Sequence, residues 1–210
     1  MIRAIALALL ATPALSQDLI VPFTDEGQQD PDFAAWRAEL MLDVIARDAD
    51  AVAEKADENI KLSFGGDSGR ETLMAWLTEG EAPETYWQEL EEVLSLGGTF
   101  DGEDAFTAPY TFTAELPGNL DPFSTAFVLG HETPVREGSA PDSFEIARVT
   151  GAVVETIGAE DFDAPYRQIR RADGSEGYVE ARFLRSVVDY RALFNKLDGE
   201  WRMTAFIAGD

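Results

Sequence analysis

The residues of this chain that could do chemistry fall into three groups. Acidic side chains cluster as Glu89, Glu91 and Glu92, and again as Asp101, Glu103 and Asp104; two carboxylates about 5–10 Å apart, one with a raised pKa, suffice to hydrolyse a glycoside. The first trio suits an exposed helix face and the second a loop, so neither is singled out as a working pair. Ser68 sits in the glycine-framed run Gly65 to Arg70 and would need a general base to become a nucleophile. The one histidine, His131, reads as a solvent-facing turn residue. One histidine makes no zinc site unless several carboxylates converge on it, and the Asp101 to Asp104 run lacks the ladder of oxygen ligands of a calcium loop. No catalytic set, metal site or cofactor is therefore predicted. The third group is aromatic and basic: Tyr166, Tyr178 and Phe183 with Arg170 and Arg171. Amphipathic tyrosines beside cations suit peptide recognition, and these five are the candidate ligand-binding residues.

The elements that must position these groups follow from composition and pattern. Residues 1–16 read as an export signal: Arg3 gives a positive start, Ile5 to Ala11 an apolar core too short to span a bilayer, and Ala14-Leu15-Ser16 a small-x-small cleavage site. The expectation is a periplasmic or secreted protein whose mature chain inserts in no membrane. There is no cysteine, so the core must hold without disulfides. Net charge is -24, and no Lys or Arg occurs between Arg70 and Arg136. Such a surface repels nucleic acid and anionic lipid, both of which need a basic face.

Asp30-Pro31 reads as an N-cap followed by proline at the first helical position. Phe33, Trp36, Leu40 and Val44 then line one face of an amphipathic helix. A second helix is expected at about 49–56, a strand at 60–64, a helix capped by Ser68 with Glu71 and broken by Pro83, and another that carries Trp87, Leu90 and Leu94 until Gly97-Gly98 stops it. The Gly65 to Arg70 run also resembles the Gly-Asp-Ser-Gly-Gly motif around the nucleophile of chymotrypsin-like proteases. In that arrangement the histidine base precedes the serine, whereas His131 follows it, and the capping box already accounts for Ser68.

From Phe123 the texture changes to short apolar runs separated by turns, which is an all-β signature. A boundary is expected near 117–123, with a mostly helical domain at 17–123, a small β domain at 124–187, and a hairpin at 188–210 turned by Asp198-Gly199. Five or six short strands in so few residues are most economically closed into a barrel. The fold class expected is α+β. A hairpin too small to stand alone must pack on something, and pairing near the 60–64 strand would complete the N-terminal domain.

The run from Thr133 to Thr156, followed by Ala164 to Arg185, resembles a bacterial SH3 domain. The positions that carry the resemblance are Val135 and Arg136, Ser139 to Pro141, Ile146, Gly151, Val153, Tyr166, Asp173-Gly174, Gly177-Tyr178-Val179 and Phe183-Leu184. Where the family has tryptophans this chain has Tyr166 and Tyr178, and where it has Leu-Asn this chain has Thr133-Pro134. The whole chain is similar to exported alphaproteobacterial SH3 domain-containing proteins. That resemblance implies a non-enzymatic protein that binds a cell-wall peptide, peptidoglycan included, or an envelope protein. The competing expectation is an enzyme or small-ligand binder with a pocket between the helices around Trp36, Trp76 and Trp87.

Overall fold

The computed structural model describes residues 18–79, 82–118, 120–158 and 164–209. The expected export segment therefore lies outside the described residues. Among them the chain forms a mixed α+β fold with five α-helices and two sheets. No helix among them is long and apolar enough to cross a membrane.

Helix α1 (Pro31–Ala46) begins where local chemistry places it. The Asp30 carboxylate accepts from the backbone N–H of Asp32 at 2.9 Å and of Phe33 at 3.1 Å, which satisfies donors that the first helical turn leaves unpaired. Helix α2 (Ala49–Lys55) is capped in the same way by Asp48. Strand β1 (Ala56–Lys61) starts and ends earlier than its alternation predicts. The reason is local: the N–H groups of Leu62 and Ser63 both donate to Asp67 O, closing a turn where a ladder would otherwise continue. The capping box also fails to form. Gly69, at φ 94°, is the N-cap of α3 (Arg70–Thr78) and offers no side chain, so Ser68 stands one residue too early. Helix α4 (Pro83–Ser95) buries Trp87, Leu90, Val93 and Leu94.

Strands β2 (Thr99–Phe100) and β3 (Ala105–Ala108) and the one-turn α5 (Tyr110–Thr113) follow. The first sheet is finished by the far end of the chain, with β11 (Arg191–Leu197) and β12 (Glu200–Ile207) giving the order β1-β12-β11-β3-β2. Strand β12 runs parallel to β1, with Ala56 opposite Met203. Asp198 and Gly199 both take positive φ, as a tight hairpin turn requires. Phe33 sits at the centre of the core, its ring 4.5 Å from Phe106, 4.7 Å from Trp201, 5.5 Å from Phe100 and 5.9 Å from Phe194. A register shift between Leu193 and Phe194 reverses the alternation of β12, so Phe206 joins Trp201 and Met203 on the helix side.

The second sheet is made of β4 (Thr125–Val128), β5 (Thr133–Arg136), β6 (Glu145–Val149), β7 (Val153–Ile157), β8 (Tyr166–Arg170), β9 (Glu176–Glu180) and β10 (Leu184–Ser186). Its order is β10-β4-β7-β8-β9-β5-β6, and every neighbouring pair is antiparallel. Strands β10 and β6 are the two ends of that order, and no ladder joins them among the described residues. Its core is small and aliphatic: Ala126, Val128, Val135, Val149, Ala152, Val154, Ile169 and Val179. Gly177 is required there, because a Cβ would fall 2.5 Å from Val135 Cγ1.

The leader from Asp18 to Gly27 spans both sheets. At one end Val153 N–H donates to Leu19 O at 2.7 Å, and Arg171 holds Asp18 Oδ1 through Nη2 at 2.7 Å. At the other, Arg37 grips both oxygens of Asp25 at 2.8 and 2.7 Å, and Phe100 N–H donates to Glu26 Oε2 at 2.8 Å. The hydrogen bond from Arg37 holds the Asp25 carboxyl below the usual carboxylate range. Between these anchors Leu19 and Val21 pack with Tyr110, Phe127, Val153 and Val187 in an apolar seam.

Candidate functional site

Register decides where the five candidate ligand-binding residues go. The pairs Tyr166–Glu180, Gln168–Tyr178 and Arg170–Glu176 lie opposite one another on β8 and β9, and directly opposed residues share a face of the sheet. Tyr166, Tyr178 and Arg170 are thus brought together on the outward face, each partly exposed. The other two go elsewhere. Phe183 packs against the aliphatic core with the Arg182 guanidinium 4.6 Å from its ring centre. Arg171 turns to the leader and is engaged by Asp18 and, at 3.6 Å, by Asp173.

The two arginines are already neutralised. Arg170 donates to Glu155 at 2.7 Å and to Glu176 at 2.9 Å, and these bonds, that to Glu176 foremost, raise its pKa. Tyr166 Oη lies 3.5 Å from Glu180 Oε1, the outer limit of hydrogen bonding. The outward face therefore offers two tyrosine rings within a closed net of ion pairs.

The inward face leads to a concave site. Thr156 follows Val154, and Arg167 precedes Ile169, on the core side of β7 and β8. Past the last core residues the sheet opens into a cleft of about 500 Å³. Its sheet-side wall carries Ala126, Thr156, Arg167, Ala181, Leu184 and Ser186; Phe123, Val188, Asp189 and the tail residues Ala208 and Gly209 close the other side. The surface is mainly apolar, with two hydroxyls and charges of both signs, which is the usual make-up of a ligand site. None of these residues is among the five candidate ligand-binding residues read from the sequence. The signal was present, since period-two alternation from buried Ile169 turns Arg167 inward.

Asp189 ties the cleft to a buried ionic cluster. Arg185, 2% exposed, donates through Nη1 to Glu89 Oε2 at 2.7 Å and Glu92 Oε1 at 3.0 Å, and through Nη2 to Tyr190 O at 2.5 Å. Asp189 Oδ2 lies 3.9 Å from Nη1. Burial pushes the Glu89 carboxyl up despite the guanidinium, and burial with Tyr86 and the nearby carboxylates raises the Tyr190 phenol to about 12. For Arg185, burial lowers the pKa but Asp189, Glu89 and Glu92 more than offset it. The expectation that Glu89, Glu91 and Glu92 form an exposed helix face is corrected for two of the three. Glu89 and Glu92 clamp an arginine from the second sheet, while Glu91 pairs with Arg47 on the surface.

The other chemistry-bearing residues stay apart. His131 is exposed in the turn between β4 and β5, and Ser68 lies in the turn after β1. The helical tryptophans are engaged in packing: Trp87 is buried with its indole N–H on Leu77 O at 3.0 Å, Trp76 stacks on Tyr86, and Trp36 stacks on Phe33. Among the described residues no group of three or more His, Cys, Asp or Glu is placed to hold a metal ion.

Comparison with known proteins adds little. No family model and no curated protein matches the chain. Among solved structures the chain is similar, at 14% identity, to an NTF2-like protein with a cystatin-like fold from Novosphingobium aromaticivorans, with 87% of this chain and 80% of that one covered and a TM-score of 0.32. A likeness of that size carries no argument about fold or function.

Proposed function

We propose that this is an exported, non-enzymatic binding protein whose residues 124–187 form an SH3-like barrel that holds a peptide of the cell wall or of an envelope protein. The observation that carries the reading is the cleft. It is concave and largely apolar, with Arg167, Asp189, Ser186 and Thr156 in its walls, a shape and composition suited to a short peptide. The seven short antiparallel strands support the barrel, as does the ordered set of SH3-like positions from Val135 to Leu184. Tyr166 and Tyr178, on the opposite face of β8 and β9, offer a second contact surface separate from the cleft. The ion pairs of Arg170 and Arg171 make these residues scaffold. Export into the periplasm rests on the signal-like residues 1–16.

Co-sedimentation of the purified protein with peptidoglycan sacculi, alongside pull-down of envelope proteins, tests this. Binding that is lost in Ser186→Trp, which fills the cleft, and weakened in Tyr166→Ala/Tyr178→Ala is the expected result. Absence of any ligand in both assays, or binding untouched by all three substitutions, would overturn it.

A further inference from the structure

Among the described residues that line the cleft, Asp189 is the one carboxylate, and its surroundings leave it only partly compensated. One guanidinium, that of Arg185, stands among three carboxylates. Its Nη1 donates to Glu89 and Glu92, its Nη2 donates to the carbonyl of Tyr190, and its buried Nε has no partner. Asp189 is the farthest of the three: its Oδ2 lies 3.9 Å from Nη1, beyond hydrogen-bond distance. That oxygen accepts no hydrogen bond among the described residues.

The rest of the group is held in place. Oδ1 accepts the Tyr190 N–H at 2.8 Å, and the Asp189 N–H donates to Ser186 O at 3.3 Å. The wall beside it is fixed as well, because the Gly209 N–H donates to Val188 O at 2.8 Å and buried Arg191 donates through Nη1 to Gly209 O at 2.5 Å. A carboxylate pinned at one oxygen and open at the other is organised before a ligand arrives.

Given the cleft as the ligand site proposed above, on which this rests, we infer that Asp189 selects a primary ammonium carried on an aliphatic stem, as at the end of a lysine-type side chain. Ala126, Leu184 and Val188 supply apolar wall for the methylenes of such a stem, which long cationic side chains bury while the charge seeks a polar end. An ammonium is a compact charge that one acceptor can serve, whereas a guanidinium forks onto both oxygens of a carboxylate. With Oδ1 occupied by the Tyr190 N–H, the ammonium fits and the fork does not. Arg167, the cation of the sheet-side wall, is engaged within the chain. The net charge of -24 draws cations to the surface and repels anionic ligands.

Amide chemical-shift titration of the isotope-labelled protein with three blocked tripeptides tests this: Ac-Ala-Lys-Ala-NH2, the same peptide acetylated on its side-chain amine, and Ac-Ala-Arg-Ala-NH2. The lysine peptide should shift the amides of Ser186, Asp189 and Gly209 saturably. Acetylation should weaken it about tenfold, and the arginine peptide should bind no more tightly than the lysine one. Asp189→Asn keeps an oxygen for the Tyr190 N–H; it should weaken the lysine peptide about tenfold and leave the acetylated peptide unchanged. Equal affinity for the lysine and acetylated peptides, equal affinity of the parent and Asp189→Asn for the lysine peptide, a preference for arginine, or no shift at the cleft would each overturn the inference. Capture by sacculi or an envelope protein, with its sensitivity to Ser186→Trp, separates the two failures. If that capture is retained, only the choice of an ammonium is wrong; if it is lost, the cleft is not the ligand site.

Discussion

The two sheets of this molecule use aromatic residues in opposite ways. In the first, the rings of Phe33, Phe106, Phe194 and Trp201 interlock beneath the helices. In the second, the core is built from Ala, Val and Ile, while Tyr166 and Tyr178 lie partly exposed and Phe123 stands 57% exposed at the edge of the cleft. A sheet covered by helices on one face has the volume to hide several rings of 150–250 Å² each, whereas the aliphatic core enclosed by the second sheet holds small side chains, and its one fully buried ring among the described residues, Phe127, lies in the seam between the regions. The same residue type thus serves the fold in one region and is left available for contact in the other.

That contrast can be broken at its strongest point first. Phe33→Ala, which empties the centre of a six-ring cluster, should cost about 4 kcal/mol in chemical denaturation. Removing Arg185, the link between the regions, should cost about 3 kcal/mol as Arg185→Ala, because Glu89 is left buried without its counter-charge; the partial exposure of Glu92 keeps the figure at the low end. In the second core Ile169→Val should cost only about 1 kcal/mol. Tyr178→Ala, at a partly exposed position with cross-strand neighbours, should cost no more than about 1 kcal/mol. A cost for Tyr178→Ala near that of Phe33→Ala would make its ring structural and end the contrast.

Acid separates the regions more gently. Glu89 has a folded-state pKa above its ordinary 4.5, so the folded protein takes up its proton first and gains stability as pH falls from neutrality toward that value. Asp25 has a folded-state pKa below its ordinary 3.8, so its contribution is present above that value and is lost as pH falls below it. Melting temperature should therefore rise slightly on mild acidification and drop below about pH 3.8. Glu89→Gln should flatten the rise and leave the drop, and a rise unchanged in that variant would remove Glu89 as its cause.

Local signals in the sequence were legible where their physics is local. Asp30-Pro31 fixes the start of α1 because the capping carboxylate and its donors are neighbours, and Asp198-Gly199 marks its hairpin for the same reason. Features set by distant partners were not. Glu89 and Glu92 resemble any solvated helix face until Arg185, more than ninety residues later, arrives beside them. The register shift near Thr204 turns Phe206 inward although strict alternation would turn it out. Arg171 looked available for a ligand because its counter-charge, Asp18, stands at the other end of the described chain. The cleft escaped notice because its walls come from four strands, a loop and the tail, and only folding collects them.

The parallel pairing of β1 with β12 has a consequence for how the protein is made. A chain emerging N-terminus first presents α1 to α4 before β11 and β12, the middle strands of their sheet, exist, since Met203 and Ala205 must reach Ala56 and Lys61 from about 145 residues away. The second sheet, by contrast, is continuous from Thr125 to Ser186 and can pair as it appears. Pulse-labelled hydrogen exchange should find the middle of the chain protected before either end, with the helices held as an exposed apolar intermediate until the last eight-residue strand docks. The C-terminal strand is in that sense the step that commits the molecule, and a chain cut short before Glu200 would be a substrate for proteases rather than a smaller version of the same protein.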